Sequence, residues 1–280
     1  MPINTALDIQ RKITRARAEY PALWRSIIDD WRRDSDGDAG WLMYAANYLF
    51  RTGGVRWAID PFSLSTRIKD VPQPDFKTDL DKLELVLLTH AHNDHLDLNL
   101  IRAIAPLPIR WIVPGFMLEK VLSVGVPQAN IIVPADNQPI SFKHLTITPF
   151  AAQHIHGKSG ISETGFLVEG SGKRWLFPGD TRVYDPVNII PFAPVNTVFA
   201  HVWLGKACAA MEVPPLLEEF CSYFLACSPH RILLTHLDEL GREEKELWDE
   251  RHAGLVTAAL RGQQYQDPVE PFFCGEKVEL

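Results

Sequence analysis

Apolar positions 9, 13, 16, 23, 27 and 31 fall near helical spacing, which predicts a helix over residues 6–33, with Pro21 breaking it into two segments. Asp34-Ser35-Asp36-Gly37-Asp38-Ala39-Gly40 then reads as a turn-rich boundary. From Trp41 onward strand and helix patterns alternate. Residues 44–50 and 55–59 read as strands joined by a turn at Gly53-Gly54. A strand over 84–89 follows, then a helix near 97–104, a short strand at 110–113 and a helix over 115–124 stopped by Gly125. Residues 131–133, 145–149, 165–169 and 174–177 are further strands, the last two linked by the hairpin turn Gly170-Ser171-Gly172-Lys173. Apolar runs at 197–203 and 231–235 predict buried strands with a helix near 214–226 between them, and a final helix is expected over 242–260. Strands alternating with helices and hairpins indicate an α/β chain, not a purely parallel wound sheet.

Composition narrows the function classes. The chain has 280 residues, 46% hydrophobic and 22% charged, enough for a sizeable core. A formal net charge of −7 provides no basic excess to neutralise phosphates, so no nucleic-acid partner is expected. Four cysteines (Cys208, Cys221, Cys227, Cys274) form no C-x-x-C pair, which points to reduced thiols in a cytoplasmic protein. Near the N-terminus Ile9, Ile13, Leu23 and Ile27 are interleaved with Arg11, Lys12, Arg15, Arg17 and Arg25, unlike a signal peptide, and no run of about 20 apolar residues suggests a membrane span. The basic helical stretch suits a cap on the main domain or an interface in a homo-oligomer, with a membrane surface or another partner as the alternative.

The candidate chemistry is concentrated in Thr89-His90-Ala91-His92-Asn93-Asp94-His95-Leu96-Asp97, directly after the apolar run Leu85-Val86-Leu87-Leu88. Three imidazoles and a carboxylate emptying from a buried strand favour a metal site over a solvated turn. The same arrangement recurs downstream. His154 and His156 follow the strand at 145–149, Asp180 follows 174–177, and His236 follows 231–235. Singly, each would more often be a capping aspartate or a surface histidine; jointly they place ligands at one sheet edge.

In the order Asp60, His90-x-His92-x-Asp94-His95, His154, Gly179-Asp180, His236, the sequence resembles the metallo-β-lactamase superfamily over nearly everything after residue 40. Asn47-Tyr48-Leu49-Phe50 through Gly53-Gly54 to Ile59-Asp60-Pro61 resembles the opening hairpin of its L-ascorbate-6-phosphate lactonase-like, metal-dependent hydrolase branch, as do Gly125-Val126-Pro127 and Phe177-Pro178-Gly179-Asp180-Thr181. The resemblance implies a four-layer αββα sandwich over residues 41–280, preceded by a helical extension at 1–40. It implies two divalent ions, one held by His90, His92 and His154, the other by Asp94, His95 and His236, with Asp180 bridging and Asp60 supporting the ligand loops. Zinc suits this nitrogen-rich set, with manganese or iron as alternatives.

Such a pair of ions can share a hydroxide, so the expected activity is hydrolysis of a lactone, ester or phosphoester. Asp94 would bind metal and orient the nucleophile or shuttle its proton. Asp180 would also be catalytic, and His201 would meet substrate or leaving group or be an ordinary buried histidine. Arg182, Lys158 and Lys206 lie near the site loops and would suit a small anionic substrate, unless they are simply solvated charges. A phosphodiesterase or nuclease of the same fold and a one-metal thioester hydrolase are alternatives, and a non-catalytic sensor would be expected to have lost ligands. Flavodiiron chemistry is disfavoured, because such proteins carry a carboxylate at the position of His92 and need a flavin module.

Overall fold

The computed structural model describes residues 6–34, 37–206, 209–242 and 247–280. The chain divides into two compact units, Met1–Pro134 with Glu239–Glu244 and Phe273–Leu280, and Ala135–Asp238 with Lys245–Phe272.

The first unit opens with α1 (Ala6–Arg32), which runs unbroken through Pro21, contrary to the expected break. Tyr20, Trp24, Ile27, Ile28 and Trp31 are buried along one stripe of this helix, while Pro21 faces solvent. Burying each large apolar side chain contributes about 2–3 kcal/mol, so the stripe holds the helix together against the local cost of the proline. The polar edges of the stripe are satisfied too. Trp24 Nε1 donates to Asp79 Oδ2 at 2.7 Å and Trp31 Nε1 to the Phe50 carbonyl at 2.9 Å. The helix ends where Arg51 and Arg56 collect its last carbonyls: Arg51 Nη1 reaches Arg33 O at 2.8 Å, and Arg56 Nη2 reaches Arg32 O at 2.9 Å.

The strands of this unit are β1 (Ala39–Leu42), β2 (Tyr48–Thr52), β3 (Val55–Ile59), β4 (Leu85–Leu87), β5 (Arg110–Ile112) and β6 (Ile131–Ile132), paired in that order. Lys277–Glu279 adds an antiparallel edge beside β1. The chain is already a strand at Ala39, inside the expected turn, and residues 44–47 are a turn, not the start of a strand. Residues 41–50 are all buried, so the two-residue alternation that marks a half-exposed strand is missing. Asn47 shapes this turn: its Oδ1 accepts from the amides of Ala45 and Ala46, and its Nδ2 donates to the carbonyls of Asp60 and Asp94, both at 2.9 Å. The pairs β3–β4, β4–β5 and β5–β6 are parallel, so β3 and β4 deliver Asp60 and the 89–97 loop to the same edge.

The second unit holds β7 (Ile140–Phe142), β8 (Leu145–Ala152), β9 (Glu163–Gly170), β10 (Lys173–Phe177), β11 (Thr197–His201), β12 (Ile232–Thr235) and β13 (Val269–Pro271), again paired in chain order. Ser171 and Gly172, both at positive φ, make the two-residue turn expected between β9 and β10. β10 to β13 are mutually parallel, and two antiparallel steps return β8 to the same direction. The C-terminal ends of β8, β10, β11 and β12 therefore share one edge. The helix near 214–226 spans Leu216–Leu225, whereas the one expected over 242–260 begins only at Glu250 and runs to Gly262, with Asp249 as its N-cap; residues 243–246 lie outside the described set. Among the described residues no helix is long and apolar enough to cross a membrane.

Candidate metal centre

In the first unit Asp60 follows β3 with a left-handed backbone, φ 44°, and its amide donates to the Leu87 carbonyl of β4 at 3.0 Å. Its carboxylate is then enclosed by the loop that β4 releases. Oδ1 accepts from the Thr89 amide at 2.8 Å, and Oδ2 accepts from Thr89 Oγ1 and faces His95 Nδ1 at 2.8 Å. Thr89 Oγ1 also contacts His90 Nδ1 at 2.9 Å. With Nδ1 of both His90 and His95 engaged on the Asp60–Thr89 side, each ring presents Nε2 as the ligand atom.

The remaining first-unit residues stand at ligand-pair spacing. Two atoms about 2.0–2.1 Å from a tetrahedral zinc lie roughly 3.4 Å apart. His90 Nε2 and His92 Nδ1 are 3.2 Å apart, and His95 Nε2 and Asp94 Oδ2 are 3.9 Å apart. His90, Asp94 and His95 are buried and His92 is half-buried. Asp60, His90 and His95 also form a compact group of possible ligands, but the Asp60 oxygens are occupied by Thr89 and His95, which suits a supporting carboxylate. Asp97 belongs to the scaffold. It caps the helix Leu98–Ile104 by accepting from Asn99 and Leu100 amides, and binds Thr66 Oγ1 at 2.6 Å. Burial raises its carboxyl above the usual range.

In the second unit the centre is Asp180. Its amide donates to Glu163 Oε1 at 2.9 Å, its Oδ1 contacts His201 Nδ1 at 2.8 Å, and its Oδ2 lies 3.4 Å from His236 Nε2 and 4.0 Å from His154 Nε2. One oxygen is thus fixed by a histidine while the other faces two imidazole nitrogens at ligand-pair spacing. Gly179 makes the approach possible: it sits at φ 71°, and a Cβ there would collide with the Glu163 carboxylate. His236 also has a left-handed backbone, φ 63°. His201 ends β11 and holds Asp180. His156 is exposed, as are Lys158 and Lys206, whereas Arg182 is half-buried.

Three residues of this region carry no local sequence signal. Arg242 donates from Nη2 to Asp94 Oδ2 at 3.0 Å and forms an ion pair with Glu239, and Glu239 Oε1 meets Arg67 Nη2 at 2.9 Å. All belong to the first unit. Burial by itself would lower the Arg242 pKa, but the carboxylates of Glu239 and Asp94 push it well above the usual guanidinium value. Glu163 was likewise unmarked in the sequence. No described cysteine joins these groups: burial pushes the thiols of Cys221, Cys227 and Cys274 up to about 12, and Cys208 lies outside the described residues.

Comparison with known proteins agrees with this chemistry. The family model "Beta-lactamase superfamily domain" matches residues 58–237. Among curated proteins, the chain is 29% identical over 180 residues to N-acyl-phosphatidylethanolamine-hydrolyzing phospholipase D 1 of Caenorhabditis elegans, covering 56% of this chain and 50% of that one. It is 26% identical over 202 residues to a UPF0173 metal-dependent hydrolase of Cupriavidus metallidurans, covering 64% of this chain and 68% of the relative. The chain therefore spans only half the length of the nematode protein. Among solved structures, CmlA, a diiron beta-hydroxylase from Streptomyces venezuelae, superimposes with a TM-score of 0.66 at 17% identity, over 89% of this chain and 55% of CmlA. That likeness shows the expected metallo-β-lactamase-like α/β fold and nothing about the reaction.

Proposed function

The chain belongs to the beta-lactamase superfamily, and from that membership and its ligand loops we propose that it is a metal-dependent hydrolase using two divalent ions on a small, anionic substrate. In this reading, which follows the order of the motifs along the chain, His90, His92 and His154 would hold one ion and Asp94, His95 and His236 the other, with Asp180 shared. The observation that carries it is the posture of Asp180: Oδ1 is held by His201 Nδ1, and Oδ2 is presented between the Nε2 atoms of His154 and His236. With Oδ1 held by His201, Oδ2 is positioned to act as a ligand together with the two imidazole nitrogens. Imidazole and carboxylate donors fit zinc, manganese and iron alike, so the donor set leaves the metal open.

When bound, the ions would lower the pKa of a water toward neutrality and polarise the bond under attack. The protein's own groups set the geometry. Asp60 and Thr89 fix the tautomers of His90 and His95, Arg242 orients the Asp94 carboxylate, and His201 fixes that of Asp180. Asp94 is suited to orient the attacking water and accept its proton.

Such a centre would open a lactone or hydrolyse an ester or a phosphoester. Similarity to a phospholipase D gives the phosphodiester weight, and the net charge of −7 argues against a nucleic-acid substrate. The test combines metal analysis with a panel of lactones, phosphodiesters and thioesters, run with zinc- and manganese-loaded protein. Two ions per chain, and turnover lost in Asp94→Ala and Asp180→Ala with the fold retained, are expected. Absence of bound metal after loading, or near-wild-type turnover in both variants, would sink the mechanism.

A further inference from the structure

Two loops of the second unit are laced together beyond Asp180. His201 Nδ1 contacts Asp180 Oδ1, and two residues further along each loop the Arg182 guanidinium lies over the Trp203 ring, 4.4 Å from its centroid. The Tyr184 hydroxyl then donates to the Trp203 carbonyl. The Arg182 amide donates to the Gln153 carbonyl at 2.9 Å, one residue before His154. Arg182 is therefore tied through its backbone to the His154 loop and through its side chain to the His201 loop, two residues from Asp180.

Among the described residues its charge has no carboxylate partner. Arg242, Arg67, Arg56, Arg174 and Arg231 each pair with a carboxylate, whereas among the described residues Arg182 pairs with none. Its Nε is buried with no hydrogen-bond partner. A guanidinium resting on an indole is held in plane by the ring's negative face, which leaves its N–H edge for a planar pair of oxygens. Lys158 and Lys206 are exposed point charges and offer no such geometry.

The geometry points to Arg182, laid on Trp203, as the residue that binds the anionic group of the substrate through two oxygens of a phosphate or carboxylate. This rests on the hydrolase reading for its substrate, but its binding chemistry is separable from it. Two charge-assisted hydrogen bonds imply binding about 10- to 100-fold tighter than without them.

The test titrates inorganic phosphate, and separately acetate, into wild-type protein and the Arg182→Met, Arg182→Lys and Trp203→Leu variants by calorimetry, with metal content and melting temperature measured on the same samples. Phosphate or acetate binding weakened about 10- to 100-fold in Arg182→Met, and less in Arg182→Lys, is expected. Weakening in Trp203→Leu with Arg182 intact would show that the stacked geometry matters beyond the charge. The anion that loses more affinity identifies the group recognised. In kinetics, the preference for an anionic over a matched neutral ester, as a ratio of kcat/KM, should fall by the same factor. Equal anion affinity in wild type and Arg182→Met at equal metal content overturns the assignment, even if hydrolysis is established. Metal-free, inactive protein would instead overturn the hydrolase reading, while the titration would still decide Arg182.

Discussion

Asp60 Oδ2 and His95 Nδ1 stand 2.8 Å apart in the fully buried floor of the first unit, and the same carboxylate reaches His90 through Thr89. One aspartate thereby sets the tautomer of two proposed ligands. Asp60→Asn keeps the shape but replaces an acceptor-only carboxylate with an amide, which cannot serve all three partners. Metal affinity should fall about 10- to 100-fold, measured by competition with a chromogenic chelator. Unchanged affinity would remove Asp60 from the metal site.

Gly179 leaves room for the Glu163 carboxylate that receives the Asp180 amide. Gly179→Ala meets two obstacles, a positive φ and a steric collision, and should cost about 1–3 kcal/mol. Because the collision displaces the Glu163 carboxylate that receives the Asp180 amide, the variant should also lose metal affinity. Thermal melts with and without metal separate the two effects: a stability loss with unaltered metal affinity would mean that Asp180 is positioned independently of Glu163.

Arg242 lies between Asp94 and Glu239, both almost fully buried. Removing the guanidinium takes one cation from both carboxylates in a poorly solvated place, leaving Arg67 on Glu239, so Arg242→Met should destabilise the protein by about 3 kcal/mol, read from urea denaturation. Arg242→Lys should recover part of the stability but not the two-carboxylate geometry. A stability change below about 0.5 kcal/mol, the size of an ordinary surface substitution, would show that water reaches this network freely.

These cases show how far the sequence could be read. His90, His92, Asp94 and His95 are legible because they crowd into six positions after an apolar strand, and His154, Asp180 and His236 because each follows an apolar strand of its own. Arg242 is not, because a lone arginine in a loop looks the same whether it is solvated or paired with an aspartate 148 positions away. The bounds of β1 and β2 are not legible because every residue from 41 to 50 is buried, and β7, β13 and Lys277–Glu279 are not because three-residue strands carry too little periodicity. Pro21 misled for a different reason: tertiary burial of the Tyr20–Trp31 stripe outweighs the local penalty.

The helix at Glu250–Gly262 begins at Asp249, whose Oδ1 accepts from the amides of Arg251 and His252 and lies 2.8 Å from His252 Nδ1. Burial would raise the Asp249 pKa, but the hydrogen bond and charge of His252 prevail and lower it. A carboxyl whose folded pKa is lowered contributes stability that is fully present above its unfolded value, near about 3.9, and that disappears as pH falls through the lower folded value. Asp249→Ala should therefore cost about 1 kcal/mol at neutral pH, and its gap from wild type should narrow below about pH 4. Asp249→Asn discriminates cap from charge. An amide oxygen still accepts from the helix amides but does not titrate, so this variant should keep most of the neutral-pH stability and lose less of it in acid. Denaturant midpoints for the three proteins between neutral and acid pH provide the comparison. A constant Ala deficit across that range would assign the whole effect to packing.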